Sequence, residues 1–404
     1  MKNILISLGG VALLCNVLIA CSSGSSGGGG SGTYASGGTV ANNTLKIVGN
    51  ENNIVPVTIG CNYMNEPCVS VTVCEHNSTN CKTINNILLD TGSFGLRVFK
   101  SQLTGLNLTA STDLSGNTYA ECVGYLDGTS QWGSVNYADI KLGGLTASNV
   151  PMQVIDASFP TSSAVPTSCT SPESSSSDYN GILGIGLFVE DCGTSCATSG
   201  NNMYFACSGS SCSSAGVATV KQVSNPIAFL GAGYNNGSAL QLPGLESDYG
   251  AISASGYLVL GIATATNNTL DSAPNVFQAD SNGNFTTVAN SHSYTAFIDS
   301  GSNGLFIPQV SAALSVCSGW YCPSSTLSLT ATQAGVSSSA QASVIYKVAS
   351  ASILFNTQSM VFNDLGGELN TYFDWGLPFF LGRTIFTGID GKTSTYGTGP
   401  YWAY

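Results

Sequence analysis

Apolar and polar residues alternate in short runs along most of this chain, and Gly, Ser, Asn and Asp separate the runs. Residues 46–74 show the two-residue period, and Val, Ile, Thr and Tyr are frequent among the alternating positions. A period of two is typical of strands with one buried face, and few stretches have the 3.6-residue period of an amphipathic helix. The pattern therefore predicts a mostly β protein.

One more specific pattern occurs twice, at residues 87–98 and 296–307. Each copy has an apolar run, then Asp, a small hydroxyl residue, Gly, Ser, any residue, Gly, and a second apolar run. We expect a buried strand that ends in a tight glycine-containing turn and continues as a second strand. The two aspartates are 209 residues apart, which fits two halves of one protein that each contribute a carboxylate.

The two turns, Asp90-Thr91-Gly92-Ser93 and Asp299-Ser300-Gly301-Ser302, resemble the paired signatures of pepsin-like aspartic peptidases. The resemblance implies a bilobal acid-protease fold, in which two β lobes related by a pseudo-twofold axis enclose a cleft. We place the N-terminal lobe at residues 46–263 and the C-terminal lobe at residues 264–404.

The same resemblance implies that Asp90 and Asp299 are catalytic, holding one water and sharing one proton, because two adjacent carboxylates do not both ionise. No metal ion and no other cofactor is needed. The remaining turn residues support the pair. Thr91 and Ser300 would join the two turns, and Ser93 and Ser302 would bond the outer carboxylate oxygens; the supporting positions are Thr91, Gly92, Ser93, Ser300, Gly301 and Ser302.

A flap over the cleft is the next expected element. Residues 124–133 and 135–144 resemble the flap hairpin and return strand of that family, and Tyr125 takes the flap position, with Trp132 as runner-up. The alternative is that both are ordinary strand aromatics. One departure concerns this flap, because Arg97 stands where the family usually has the Trp that supports the flap tyrosine.

Further segments give expectations about the scaffold. Residues 180–186 and 378–386 resemble the two hydrophobic-hydrophobic-Gly elements that pack under the aspartate turns of the family. The Asn-Gly at residues 282–283 predicts a hairpin between residues 276–279 and 284–288. Residues 191–216, rich in Cys, Gly and Ser, are expected to form a surface insertion.

The N-terminal segment predicts export and an anchor. An apolar stretch over residues 4–20 is too short for a typical membrane span, and Leu18-Ile19-Ala20-Cys21 resembles the bacterial lipobox. Residues 1–20 are therefore predicted to be a lipoprotein signal peptide and Cys21 the lipidation site; an uncleaved anchor or a plain secretory signal is the alternative. Ser22 and Ser23 favour the outer membrane, facing the periplasm or the surface. Residues 21–45 are predicted to be a Gly/Ser-rich linker.

Charge limits the partners. Charged residues make up 8% of the 404-residue chain against the usual ~25%, and the ten basic residues are scattered singly. With a net charge of -12, nucleic acid is excluded as a partner. The expected partners are a peptide or protein substrate and a membrane reached through Cys21, and the expected state is a monomer.

Cysteines support the exported location. Of 14, Cys15 lies in the signal peptide and Cys21 at the lipid site, which leaves an even number for disulfides. A zinc site is the rival interpretation. The sequence does not fix connectivity; one arrangement pairs Cys61 with Cys68, Cys74 with Cys81, Cys122 with Cys169, Cys192 with Cys196, Cys207 with Cys212, and Cys317 with Cys322.

Two functions remain open at this point. The first is an aspartic endopeptidase of the bacterial cell envelope, which the presence of both aspartates with their hydroxyl neighbours favours. The second is a catalytically inactive pepsin-like surface lipoprotein that acts as a binding or structural module, because a fold does not guarantee an activity. The chain as a whole resembles a group of bacterial lipoproteins with pepsin-like signatures more than it resembles digestive pepsins.

Overall fold

The computed structural model describes residues 44–198, 201–338 and 340–404. The predicted signal peptide, the lipidation residue Cys21 and residues 21–43 of the linker lie outside these ranges. Leu45, placed at the end of the linker, is buried, and its N–H donates to Gln241 Oε1 over 2.6 Å. The packed part of the described chain thus already includes this residue, and the linker boundary at residue 45 stays a prediction.

Strands dominate the described residues, as the alternating pattern predicts. In chain order they are β1 (Ile54–Ile59), β2 (Pro67–Cys74), β3 (Cys81–Asp90), β4 (Phe94–Phe99), β5 (Thr109–Ala110), β6 (Thr118–Gly124), β7 (Ser130–Leu142), β8 (Leu145–Ile155), β9 (Gly181–Ile185), β10 (Tyr204–Ser208), β11 (Ser211–Ser214), β12 (Gly237–Gln241), β13 (Ala254–Leu260), β14 (Val276–Gln278), β15 (Phe285–Ala289), β16 (His292–Ile298), β17 (Leu305–Ile307), β18 (Val316–Cys317), β19 (Trp320–Tyr321), β20 (Leu327–Ala334), β21 (Gln341–Val348), β22 (Gly366–Glu368), β23 (Phe373–Trp375), β24 (Thr384–Gly388), β25 (Thr393–Ser394), β26 (Gly397–Thr398) and β27 (Tyr401–Ala403).

Helices are short throughout the described ranges. They are α1 (Ala351–Leu354), α2 (Leu377–Phe380) and the 3-10 segments Lys100–Leu103, Ser162–Ala164, Gly193–Cys196, Thr219–Lys221, Pro226–Phe229, Thr266–Asn268 and Val336–Ser338. In this part of the chain none has the length and apolar character that a membrane span requires.

Two large sheets each contain one aspartate turn. A 16-stranded sheet has the order β11-β10-β6-β7-β8-β4-β9-β3-β2-β1-β13-β12-β24-β27-β14, with β5 beside β7, and a nine-stranded sheet has the order β18-β19-β22-β17-β23-β16-β15-β20-β21. β24, β27 and β14 come from the predicted C-terminal lobe but lie in the larger sheet. The sheets therefore do not divide at residue 264, and the lobe boundary stays a prediction.

The same local topology surrounds both aspartates. β3 leads to Asp90 and β4 leaves it, while β9 lies between them, parallel to β3 and antiparallel to β4. β16 leads to Asp299 and β17 leaves it, and β23 lies between them with the same two orientations. The apolar residues before each aspartate, Leu89 and Ile298, are fully buried. Such burial contributes roughly 1.5–3 kcal/mol per side chain and holds the strand ends that carry the carboxyls.

Two scaffold expectations are wrong. Residues 280–283 do form a tight turn, but β14 pairs with β27 and β15 with β16, so no hairpin joins the flanking strands. Residues 191–216 are not only a surface insertion, because β10 pairs with β6 and extends the larger sheet. Tyr204 from this segment is buried in a small apolar cluster, which explains why the segment folds onto the sheet.

Disulfides link all six predicted cysteine pairs, so that arrangement is confirmed: Cys61–Cys68, Cys74–Cys81, Cys122–Cys169, Cys192–Cys196, Cys207–Cys212 and Cys317–Cys322. These sulfurs are therefore not thiolate ligands. Within the described ranges, no group of three or more His, Cys, Asp or Glu side chains is arranged to hold a metal ion.

A buried carboxyl remote from both turns gives a first testable prediction. Asp364 is 1% exposed, neither of its side-chain oxygens has a hydrogen-bond partner in the described structure, and burial raises its pKa from 3.8 to about 6. An acid with a raised pKa stabilises the fold at low pH and loses that contribution as pH rises from about 4 to about 6. Replacement by Asn should therefore flatten the decline in melting temperature between pH 4 and pH 8.

The exposed Asp271 supplies the matched control, because its ion pair with Lys46 is solvent-exposed and contributes little. Asp271→Asn should keep the wild-type pH dependence of the melting temperature. An Asp364→Asn protein that loses stability as steeply as wild type over this range would contradict the assignment.

Candidate active site

The two aspartate turns meet in the interior. Asp90 is the last residue of β3, and Asp299 directly follows β16. Asp90 is 4% exposed and Asp299 is fully buried. Two acidic side chains that are 209 residues apart in sequence therefore come together at the ends of two buried strands.

A reciprocal set of hydrogen bonds joins the turns. The Thr91 N–H donates to Ser300 Oγ over 3.0 Å, and the Ser300 N–H donates to Thr91 Oγ1 over 2.9 Å. The hydroxyls continue the pattern: Thr91 donates to the Ile298 carbonyl and Ser300 to the Leu89 carbonyl. Each hydroxyl both accepts and donates, so neither turn can shift without breaking four bonds in a buried site.

Each carboxyl has the same two donors from its own turn. The Gly92 N–H donates to Asp90 Oδ1 over 2.8 Å, and the Ser93 hydroxyl donates to Asp90 Oδ2. In the second turn the Gly301 N–H donates to Asp299 Oδ1 over 2.8 Å. The Ser302 hydroxyl lies 2.9 Å from Asp299 Oδ2. These bonds fix the rotamers of both aspartates.

The carboxyls are in direct contact with each other's turns. A methyl group added at Gly92 would lie 2.5 Å from Asp299 Cγ, and one added at Gly301 would lie 2.8 Å from Asp90 Cγ. The group added at Gly301 would touch both carboxyls, lying 2.8 Å from Asp90 Oδ1 and 3.2 Å from Asp299 Oδ1, so the two carboxyls are neighbours. Burial, followed by the charges of Asp90 and Asp374, raises the pKa of Asp299 well above its ordinary value. The surroundings of Asp299 thus favour its protonated form.

The close approach at Gly301 gives a second prediction. Gly301→Ala would push the new methyl group into the Asp90 carboxyl, where neither backbone nor side chain has room to move, and should cost about 1–3 kcal/mol. Gly231→Ala is the matched control, because nothing lies within 4 Å of its added Cβ. Thermal unfolding checks both; equal melting temperatures for the two variants would show that the carboxyl is not where the structure places it.

The hydrophobic-hydrophobic-Gly element of the first half is β9, as expected, with Gly184 paired to Asp90. The corresponding element of the second half is β23, because Ile298 pairs with Trp375 and the Asp299 N–H donates to the Trp375 carbonyl over 3.1 Å. The prediction of residues 378–386 for this element is therefore wrong. Those residues form α2 and the start of β24 instead.

Asp374 explains why the sequence pattern gave the wrong prediction for this element. It interrupts the apolar pattern at the position where β9 has Ile182, so the segment does not read as a buried strand. Asp374 is 2% exposed, and burial raises its pKa well above the ordinary value. A third buried carboxyl thus lies beside the pair, and only a Phe-Asp-Trp-Gly run at residues 373–376 signals it in the sequence.

The predicted flap is a hairpin of β6 and β7, and Tyr125 begins its turn. The Tyr125 N–H donates to the Thr129 carbonyl over 2.9 Å, and its hydroxyl donates to Gln131 Oε1 over 3.0 Å. Burial raises the pKa of Tyr125; the Arg97 charge opposes this rise, and the Asp90 charge adds to it by a smaller amount. The runner-up, Trp132, is instead fully buried and packs against Phe205, so it is not a flap-tip residue.

Behind this hairpin lies a charged cluster that sequence reasoning missed. Arg97 is 1% exposed, and its Nη2 lies 2.7 Å from both Glu121 Oε1 and Asp191 Oδ2. The Tyr204 hydroxyl donates to Asp191 Oδ1 over 2.6 Å. Burial and then Glu121 raise the pKa of Asp191 well above its usual value. Glu121 lies in β6, so Arg97 ties the strand after the first aspartate to the base of the hairpin.

Comparisons with known proteins agree with this architecture. A family model described as "Protein of unknown function (DUF3443)" matches residues 41–404. A search of curated proteins found no match. Among solved structures, the chain is similar to the crystal structure of an aspartic proteinase from Irpex lacteus, with 16% sequence identity and a TM-score of 0.51 over 87% of this chain and 96% of that one. The predicted pepsin-like acid-protease fold is confirmed.

Proposed function

The chain belongs to the family described as proteins of unknown function (DUF3443), and within it we propose that this protein is an aspartic endopeptidase. The observation that carries the proposal is the buried, neighbouring pair Asp90 and Asp299, held by turns that are themselves joined through Thr91 and Ser300. Two carboxyls that share one proton in a buried site supply both a base and an acid for hydrolysis.

In the proposed reaction a water lies between the carboxyls and the scissile peptide. The water oxygen attacks the carbonyl carbon while Asp90 takes a proton from the water. Asp299 gives its proton to the carbonyl oxygen. Asp90 then returns a proton to the amide nitrogen as the C–N bond breaks, and Asp299 recovers one from the intermediate's hydroxyl. The protons balance without a covalent intermediate. Since the pair titrates as a unit, this assignment describes where the proton lies before attack.

Tyr125 is proposed to close over the bound substrate and exclude water. Its hydroxyl bonds to Gln131, whose Nε2 donates to Glu173 Oε2 over 3.0 Å, and the Tyr179 hydroxyl donates to the same oxygen over 2.9 Å. This chain of side chains takes the place of a supporting tryptophan, so the flap rests on polar contacts rather than on an indole.

The proposed setting is the bacterial cell envelope, with a peptide or protein substrate, a lipid anchor at Cys21 and a monomeric state. The disulfides fit an oxidising compartment. Fractionation of cells that produce wild type or Cys21→Ser tests the anchor: wild type should sediment with outer membranes and the variant should be released. Equal membrane association of both would count against lipidation at this cysteine.

Hydrolysis is tested by incubating the purified full-length protein with casein from pH 3 to pH 8, with and without a statine-type inhibitor. We expect fragments in the acidic to near-neutral range and their loss with the inhibitor, because a statine hydroxyl mimics the tetrahedral intermediate between the carboxyls. Inhibitor-insensitive cleavage would point to a contaminating peptidase. If no peptide is cut, the second candidate, an inactive envelope module with this fold, becomes the better account.

A further inference from the structure

The peptide carbonyl four residues after each aspartate accepts a hydrogen bond from a buried side chain. In the first half of the chain, Arg97 Nη1 donates to the Phe94 carbonyl over 2.6 Å. In the second half, the carbonyl after the Asp299 turn belongs to Asn303, and Asn65 Nδ2 donates to it over 2.8 Å. Arg97 lies in the same half as its acceptor, whereas Asn65 lies in the opposite half. A side chain of the first half therefore holds the end of the Asp299 turn.

Asn65 is bonded to two separate segments of the second half. It is fully buried, and its backbone N–H donates to the Met360 carbonyl over 2.7 Å. Its Oδ1 accepts from the Phe362 N–H over 2.7 Å, and its Nδ2 donates to the Phe362 carbonyl over 3.0 Å. The contact is close, since a methyl group added at Gly60 would lie 2.8 Å from Met360 Cβ. One amide side chain thus joins both segments to the first half, with its donors and its acceptor satisfied.

The loop that carries Asn65 is fixed from within. It consists of residues 60–66 between β1 and β2, and the disulfide Cys61–Cys68 closes it. Glu66 Oε2 accepts two backbone N–H groups of the same loop, each over 3.0 Å. Asn65 has a φ of 55°, a left-handed conformation that asparagine adopts more readily than most residues. These features hold the loop in shape and direct the Asn65 side chain to the second half.

The held carbonyl is close along the chain to a reacting group. Asn303 follows Ser302, whose hydroxyl lies 2.9 Å from Asp299 Oδ2. The start of the same turn is bonded to the first half through Ser300. The Asp299 turn is therefore tied to the first half at both ends. A segment tied at one end can pivot, so the second tie determines how far the Asp299 carboxyl lies from its neighbour.

We propose that Asn65 is a positioning residue for the reaction: it holds the end of the Asp299 turn against the first half and so fixes the separation of the two carboxyls. The inference rests on the proposed peptidase function for its consequence in catalysis, but the separation of the carboxyls does not depend on turnover. Asn65 acts through the backbone of Asn303 and touches neither the substrate nor the reacting atoms.

Asn65→Gly is the direct test, because glycine adopts the left-handed backbone without strain and the change deletes only the side-chain bonds. Carbon NMR of the full-length protein with labelled aspartate carboxyls, titrated from pH 2 to pH 9, follows the pair. Neighbouring carboxyls release their protons in two separated steps, because the first charge opposes the second. Once the turn is released, the interval between the steps should narrow by about one pH unit, a tenfold loss of coupling.

Steady-state kinetics gives a second readout. In Asn65→Gly, kcat should fall by about 10- to 100-fold while KM stays within about threefold, because misplaced reacting groups affect the chemical step more than substrate binding. Asn65→Ser retains a hydroxyl with one hydrogen, which cannot donate to both segments, and should change the interval and kcat in the same direction. A purely structural role would lower the melting temperature and leave the titration of the folded protein unchanged.

Asn77→Gly is the matched control. Asn77 has the same left-handed backbone, with a φ of 57°, but its side chain is exposed and bonds His76 within the first half. Its titration interval and kcat should match wild type. An unchanged interval in both Asn65 variants, or failure of both to fold, would overturn the positioning role whether or not the protein cleaves peptides. If wild type shows no hydrolysis while the interval narrows as expected, the proposed function fails and the inference about Asn65 stands.

Discussion

Asp299→Asn is expected to abolish peptide hydrolysis, with a fall in kcat/KM of at least ~10³-fold. The amide can neither carry the shared proton nor donate it to the substrate carbonyl, and general acid–base groups contribute about 10²–10⁴-fold each. Asp90→Asn should have an effect of the same size, because it removes the base. The rates of wild type and both variants on casein, measured at the optimum pH of wild type, check the prediction.

The melting temperature of the Asp299→Asn protein should not fall together with its activity. Because burial and two neighbouring carboxyls disfavour the ionised form of Asp299, the charge it acquires at high pH destabilises the fold. Asp299→Asn should therefore melt no lower than wild type at pH 8, which separates lost chemistry from lost folding. Asp271→Asn, at an exposed carboxyl, should retain full activity. Substantial hydrolysis by Asp299→Asn would rule out the two-carboxyl mechanism.

Arg97→Met is expected to destabilise the protein by roughly 3–5 kcal/mol at neutral pH. The change leaves Glu121 and Asp191 buried without a cation, and removing one member of a buried ion cluster has about this cost. The loss should be smaller at pH 4, because burial raises the pKa of Asp191 and its protonated form does not need the guanidinium. Denaturant unfolding at pH 4 and at pH 8 measures both values.

The matched control is the triple variant Arg97→Met, Glu121→Gln, Asp191→Asn, which removes all three charges and should recover most of the lost stability. Hydrogen exchange adds a local readout: amides of β6 and β7 should exchange faster in Arg97→Met and regain protection in the triple variant. A single variant as stable as wild type at pH 8 would show that the cluster does not hold the base of the hairpin.

Local patterns predicted much of this molecule. The turns at Asp90 and Asp299 are visible because an apolar run, a hydroxyl and two glycines must occur in fixed order for a strand to end in such a turn. Close cysteine pairs such as Cys74 and Cys81 follow from short loops. β9 is readable because both its faces are buried and the run is apolar throughout.

The sequence did not predict the features that depend on contacts between distant segments, and the reasons are physical. β23 contains Asp374, and a carboxyl in a buried strand contradicts the rule by which buried strands are recognised. Arg97, Glu121 and Asp191 come from three separated segments, and only the folded sheet brings them within 2.7 Å contacts. A lone arginine in an apolar strand was the one available signal, since so buried a cation requires acidic partners.

The pairing of β12 with β24 has a consequence for biosynthesis. β12 ends at Gln241, whereas β24 starts at Thr384. When the ribosome has made the first half, the edge of β12 that β24 later covers still presents unpaired amides and carbonyls, which can recruit strands of other molecules. Folding of the larger sheet therefore cannot finish before residue 403, the end of β27, is available. A nascent chain of this kind needs to be kept apart from its neighbours until synthesis has passed that point.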